Sequence, residues 1–355
     1  MKRERMQFMD CFLPMPVVEA LRADVWGAAA VGPRDPGNGM EDRTMALYSY
    51  WDGAVVRDPD SGKYCLFASR WEQKGGHWGN EEGPGWRGSQ AVMGVSDSLF
   101  GPYTDLGPLW PDWCEGAGHN VFPFFIHPAD PLYAEGFRYA VCISDTGRHE
   151  EIANGTIHLA ASIRGPWTLL ENGNGGRLRC EGTFNLSNIS IAPCPQGGYL
   201  ALDRRGNLAF AETLAGVWKT KLEGLWSTIP VMAERIPYIE DGLLWYSAGK
   251  YRIVVNDWDA RQAYYLSSQD GLSWRLNEGL AYTPKVDFIR YENGTVNRWR
   301  KIERPNVYLE DGVVRAVAFA VIDVEKEDDL GNDDHGSKVL IVPFDGEALA
   351  RLDKE

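Results

Sequence analysis

SGKYCLFAS, residues 61–69, reads as a turn followed by a short β-strand centred on an aromatic residue. Ser-Gly marks the turn, and a brief apolar run bounded by turn residues reads as a buried strand. The unit recurs as GFRYAVCIS (136–144), GGYLALDR (197–204), GKYRIVVND (249–257) and DGVVRAVAF (311–319), the last with Val in place of Tyr. Four copies are followed by a second unit, a turn and then an aromatic: LFGPYTDLG (99–107), IRGPWTLLE (163–171), LAGVWKTKL (214–222) and DGLSWRLNE (270–278). Gly-Pro and Asp-Gly there are turn chemistry. Each copy is also preceded by a polar residue opening an apolar segment: Asp52 before Gly53–Val56, His119-Asn120 before Val121–Phe124, Asn188 before Ile189–Ile191, Glu240-Asp241 before Gly242–Trp245, and Glu303-Arg304 before Pro305–Val307. No strongly periodic amphipathic helix interrupts the series. Five repeats of one antiparallel sheet predict an all-β fold, a five-bladed β-propeller. A ring of six or seven blades, or a β-sandwich whose polar residues merely cap turns, is the competing reading.

The inner strands of a propeller begin at one mouth of the central channel. A five-fold ring therefore gathers Asp52, His119, Asn120, Asn188, Glu240, Asp241, Glu303 and Arg304 into one pocket. Residues 1–45, with the Gly/Pro-rich stretch VGPRDPGNGMED (31–42), read as an N-terminal extension, a loop or lid over the first blade, and 46–355 as the propeller. The run KVLIVPFDG (338–346) reads as a strand that completes the fifth blade or closes the ring. The Gly- and Trp-rich insertion at 75–89 reads as a loop shaping the pocket, and the acidic loop 324–337 as exposed or reaching over its mouth.

Composition narrows the partners. The 355 residues include 14 tryptophans and carry a formal net charge of −14. That charge argues against nucleic acid and against an anionic membrane surface, and no segment is a membrane span. An indole offers a flat platform to a pyranose face as readily as it fills a core. The six cysteines, Cys11, Cys65, Cys114, Cys142, Cys180 and Cys194, show no C-x-x-C spacing and read as free thiols. The N-terminus lacks an apolar run of signal-peptide length, so the expected location is the cytoplasm, although a chain trimmed of its leader would read the same. There is no G-x-S-x-G elbow, P-loop, G-x-G-x-x-G after a strand, or His-rich metal cluster.

Four carboxyls, Asp52, Glu240, Asp241 and Glu303, at an apolar strand mouth suit glycosidic bond hydrolysis, in which one carboxyl protonates the leaving oxygen and another activates water or attacks directly. The runs WDGAVVRDPDSGKYCLFASRW (51–71) and IEDGLLWYSAGKYRIVV (239–255) resemble glycoside hydrolase family 43, and IERPNVYLEDG (302–312) resembles the Glu-Arg-Pro segment of family 117. The resemblance implies Asp52 as general base, Asp241 as the carboxylate that tunes and orients, and Glu303 as the acid or its close partner. Family 43 usually has Asp-Pro where this chain has Asp52-Gly53, and Ile302 stands where family 117 carries a His near its acid. Trp51, Arg70, Trp71, His119, Asn120, Asn188, Arg204, Glu240, Trp245 and Arg304 are the candidate substrate-binding residues. No cofactor is required on this reading; a structural Ca²⁺ or other ion on the axis is compatible with it. The expected partner is an oligosaccharide or glycoside of plant or algal type, processed by an exo-acting, inverting glycosidase, and an oligomer is compatible. Three alternatives share the scaffold: a polysaccharide lyase using His119 and Arg304, a phosphorylase holding phosphate with Arg70, Arg204 and Arg304, and a non-catalytic sugar-binding propeller.

Overall fold

The computed structural model describes residues 6–110, 117–145, 154–184, 187–331 and 335–352. The turn units and aromatic strands assemble as five small sheets. The first holds β1 (Tyr48–Arg57), β2 (Tyr64–Glu72), β3 (Gln90–Ser96) and β4 (Thr104–Pro108). The second holds β5 (Ala117–Phe125), β6 (Tyr139–Asp145), β7 (Asn154–Ala160) and β8 (Thr168–Leu169). In the third, β9 (Arg179–Glu181) adds in parallel to the outer edge of β10 (Ser190–Pro193), β11 (Tyr199–Leu202), β12 (Leu208–Ala211) and β13 (Val217–Leu222). The fourth is β14 (Ile239–Ser247), β15 (Lys250–Asp257), β16 (Gln262–Ser268) and β17 (Arg275–Leu276); the fifth is β18 (Lys301–Glu310), β19 (Val313–Ile322) and β20 (Ser337–Pro343). The strands β1, β5, β10, β14 and β18 pack against one another around the axis, so the fold is a closed five-bladed β-propeller.

The final apolar run is β20, which completes the fifth blade beside β19. Its free edge is taken by the N-terminal extension. Met40 and Val339 exchange both backbone hydrogen bonds at 3.0 Å. The Asn38 side chain imitates a strand, accepting from Ile341 N and donating to Ile341 O at 2.9 Å each. Gly39 between them has φ +70°, and a Cβ there would meet Val339 O at 1.9 Å, so only glycine fits. Gly39 N also donates to Phe100 O of the first blade. Residues 6–45 thus run along the fifth blade and seal its seam with the first, where a loop or lid over the first blade was expected. Arg34, Glu41 and Lys338 form a buried ion cluster under this seam.

Between blades the core is aromatic and aliphatic; Trp218, Trp226, Trp299, Tyr265 and Phe319 are fully buried within it. Among the described residues Cys11, Cys65, Cys142, Cys180 and Cys194 form no disulfide, and Cys114 lies outside those residues. Among the described residues no helix is long and apolar enough to cross a membrane.

A candidate active site at one mouth of the channel

Four of the five inner strands break their pairing at the same place. The register shifts at Trp51/Ala54, His119/Phe122, Glu240/Leu243 and Glu303/Asn306, and Asn188 lies just ahead of β10. One non-glycine residue per blade takes a left-handed backbone there: Asp52 (φ 62°), Asn120 (56°), Asn188 (49°), Asp241 (59°) and Arg304 (52°). Asp and Asn tolerate this region better than other side chains, and each such residue costs on the order of 1–3 kcal/mol unless its surroundings impose it. A strain repeated five times around one axis marks a site.

These five residues form a belt across the channel. Arg304 Nε donates to Asp52 Oδ1 at 2.6 Å and its NH1 to Asp241 Oδ1 at 2.8 Å. Asn188 Nδ2 donates to Asp241 Oδ1 at 2.6 Å, and Asn120 Nδ2 to Asn188 Oδ1. Ser69 Oγ and Val121 N complete the shell of Asp52. Burial works against the Arg304 charge, but Asp52 and Asp241 outweigh it and raise its pKa. Burial likewise opposes the Asp241 charge; Arg304 and Lys326 outweigh it and hold this carboxyl below the ordinary range.

The belt separates two spaces. On one side lies a cavity of about 170 Å³, lined by Trp51, His77, Trp78, Trp86, His119, Asn120, Ser144, Ser187, Asn188, Arg204, Glu240, Asp241, Arg304 and Lys326. Asp52 instead faces a chamber of about 20 Å³ within the belt. Beyond that the channel opens at its other end into an apolar space of about 340 Å³ lined by residues such as Val55, Phe124, Ile191, Leu244, Trp245 and Tyr308.

The cavity's aromatic wall is continuous. Trp51 meets His77 edge-on at 5.2 Å, His77 meets Trp78 at 5.2 Å, Trp78 meets Trp86 at 6.4 Å, and Trp86 lies 4.5 Å from His119. Burial lowers the His119 pKa to about 4 and that of His77 well below its usual value, so both rings are neutral at pH 7. His77 Nδ1, His119 Nδ1, Trp86 Nε1 and Asn120 Oδ1 have no hydrogen-bond partner among the described residues. Buried polar atoms are normally paired, so this set is capacity for a polar ligand. Two loops deliver the wall and are stitched to each other: His77 N donates to Asp329 O at 3.1 Å, and Asn80 Nδ2 to Leu330 O at 3.0 Å.

Eight of the expected site residues meet at this cavity: Trp51, His119, Asn120, Asn188, Arg204, Glu240, Asp241 and Arg304. Five are placed elsewhere. Arg70 is committed to Asp105 at 2.7 Å and to Gln90, and stacks on Tyr48. Trp71 packs behind Trp51 and donates its indole N–H to Gly76 O. Trp245 stands at the opposite, apolar end, against Tyr265. Asp52 lies within the belt. Glu303 is buried off the cavity wall, its carboxylate held by Lys326 at 2.5 Å and approached by Lys301 at 3.7 Å. The alternation of β2 accounts for Arg70 and Trp71, since neighbouring side chains on a strand face opposite ways. The sequence reading missed His77, Trp78 and Trp86 as individual contacts, although it marked their loop, and it missed Lys326. A lone lysine in an acidic loop carried no signal; here it lies over the Trp51 ring at 4.8 Å.

Glu240 is the carboxyl that fits a proton donor. Burial and then the Asp241 charge raise its pKa to about 7, against the opposing pull of Arg204, which pairs with its Oε2. Among the described residues, the parts named for two other chemistries are not gathered at this cavity. A phosphorylase cradle of Arg70, Arg204 and Arg304 does not assemble, because Arg70 is outside the cavity and Arg304 is spent on two aspartates. No tyrosine lines the cavity among the described residues to complete a lyase pair. An axial metal ion does not fit the belt either, since Arg304 already supplies the positive charge between Asp52 and Asp241. No group of three or more His, Cys, Asp and Glu residues is placed to hold one among the described residues.

No family model matches the sequence, and no curated protein matches it. The fold does have solved counterparts. A family 43 β-xylosidase/α-arabinofuranosidase from a compost microbial metagenome, solved with xylotriose in a calcium-free form, superposes with a TM-score of 0.53 at 11% identity over 86% of this chain and 94% of that one. A family 117 glycoside hydrolase produced by the marine bacterium Zobellia galactanivorans gives 0.51 at 10% identity over 87% and 88%. A family 43 β-1,3-galactosidase solved with galactodeoxynojirimycin gives 0.51 at 13% identity over 83% and 90%. The chain shares the five-bladed fold of glycoside hydrolases of families 43 and 117.

Proposed function

We propose that the chain is a glycoside hydrolase that removes a terminal sugar from an oligosaccharide or glycoside with inversion, using Glu240 as general acid. The observation that carries this reading is the Glu240 carboxyl on the cavity wall next to Asp241: burial and the Asp241 charge push Glu240 up to about 7, while Arg304 and Lys326 hold Asp241 below the ordinary range. Two titratable groups pushed apart by their environments are the physical signature of an acid/base pair. Glu240 gives its proton to the glycosidic oxygen as the bond to the anomeric carbon breaks. Water bonds to that carbon and yields its proton to the Asp241 carboxylate, which faces the cavity while Asp52 fixes Arg304 from below. Attack by water in a single displacement inverts the anomeric centre. A pocket walled by two loops stitched to each other favours a chain end over an internal segment.

The test is turnover of aryl glycosides and algal or plant oligosaccharides, with NMR of the fresh product to read its anomer. On the oligosaccharides, whose leaving oxygen needs a proton, Glu240→Gln is expected to lower kcat by about 10²–10⁴-fold, the usual worth of a general acid. Asp241→Asn should do the same, with both variants folded. A Glu240→Gln protein that keeps wild-type turnover removes Glu240 from the chemistry.

A further inference from the structure

Arg204 sits at odds with the acid it touches. Its root is fixed: its N–H donates to Ser187 O at 3.0 Å, and its carbonyl accepts from Trp226 Nε1 at 3.1 Å. The next residues form a tight turn around Asp203, which accepts from Arg205 N and Asn207 N. Its tip is the solvent-facing part: the side chain is 49% exposed, against 15% for its partner Glu240. Glu240 is its one side-chain partner among the described residues. A guanidinium on a carboxylate favours the ionised form, yet a general acid must begin the reaction with its proton on. Arg204 therefore opposes the protonated acid for as long as it stays on Glu240. A sugar hydroxyl cannot draw a guanidinium from a carboxylate. A competing anion can, through a two-pronged charge-assisted pair whose planar geometry suits arginine.

We propose that the sugar bound in this cavity carries an anionic group, a carboxylate or a sulfate, which Arg204 takes up, so that Glu240 is released to hold the proton it donates. The inference rests on Glu240 being the acid. Binding of the anion and readiness of the acid then become one event, and a neutral sugar leaves the acid paired. The groups facing Glu240 agree. Asp241 on its own strand and Glu303 on β18 favour the protonated acid, while Arg204 from the third blade and Lys326 from the fifth oppose it. Lys326 is already held by Glu303, which leaves Arg204 as the solvent-facing charge.

Two measurements test this. Calorimetric titration with galactose, galacturonate, glucuronate and galactose 6-sulfate reads the ligand class without requiring turnover. Expected is a preference of about 10-fold or more for an anionic sugar over galactose, the scale of one charge-assisted hydrogen bond, and its loss in Arg204→Gln. A uronate preference assigns carboxylate, and a preference for the 6-sulfate assigns sulfate. Equal binding of neutral and anionic sugars, or a preference that survives Arg204→Gln in a protein of unchanged melting temperature, overturns the proposal. Matched methyl glycosides, whose leaving oxygen needs the proton, then read the coupling to the acid. With an anionic substrate the alkaline limb of kcat should lie at higher pH than that of kcat/KM, because the first reports the complex and the second the free enzyme. The same limb in both profiles removes the coupling. Anionic sugars that bind through Arg204 while no glycoside is turned over would leave the ligand class standing and fell the hydrolase reading instead.

Discussion

The two ends of the central channel are built from the same five strands and have opposite character. At one mouth the strand starts present carboxylates, amides, arginines and a lysine; a few residues further along, Val55, Phe124, Ile191, Leu244 and Tyr308 make the other mouth apolar. What separates them is the bulge. Before and at the bulge the backbone leaves the strand region, and the side chains of Asp52, Asn120, Asn188, Asp241 and Arg304 converge on the axis. After it, regular pairing resumes and ordinary packing governs. The polar end is held by interlocked charges, the apolar end by dispersion and water exclusion. The two should therefore fail in different ways.

The largest effect is expected from Arg304→Met. It leaves Asp52 and Asp241 buried together without their cation, so unfolding in urea should show a loss of about 3–5 kcal/mol, and turnover should vanish with it. A variant as stable as the parent would mean that the belt is not held by charge. At the apolar end, Leu244→Ala should cost about 2–5 kcal/mol through lost transfer energy and a residual cavity. Its kcat, measured well below the melting transition, should stay within about 2-fold of the parent. A large fall in kcat would show that the two mouths are coupled.

The smallest effect is a pH dependence within the polar mouth. The folded-state pKa of Glu240 is raised from 4.5 to about 7, so its contribution is fully present below 4.5 and is lost as pH rises toward 7. Asp241 is depressed below 3.8, so its contribution is present above that value and is lost as pH falls further. The urea midpoint should therefore decline between pH 5 and pH 7.5, and Glu240→Gln should flatten that decline. An unchanged slope would mean that Glu240 titrates as it does in the unfolded chain.

The pattern of polar start and apolar run made the blade number and the ring of mouth residues legible before any coordinates. It could not order neighbours within a pair. Glu240 and Asp241 are adjacent, as are Glu303 and Arg304, and a bulge sends adjacent side chains to places that period-two reasoning cannot assign. That is why Arg304 proved to be the hub of the belt, and why Glu303 lies beside Lys326 instead of on the cavity wall. Lys326 itself was illegible because its position depends on one loop docking on another: Gln73 Nε2 donates to His335 O at 2.8 Å, and a Cβ on Gly76 would meet Asp329 O at 2.3 Å.

The seam between Asn38–Met40 and β20 also has a kinetic side. Asn38 and Ile341 are 303 residues apart in sequence, so the ring closes only when nearly the whole chain is present. Contacts of such separation carry a loop-closure entropy that local strands cannot offset early, and they place closure late in folding. The belt draws on residues from Asp52 to Arg304, so chains released before the fifth blade is made would hold four blades' worth of exposed strand edge and no site. The polar belt is whole only once the fifth blade is in place.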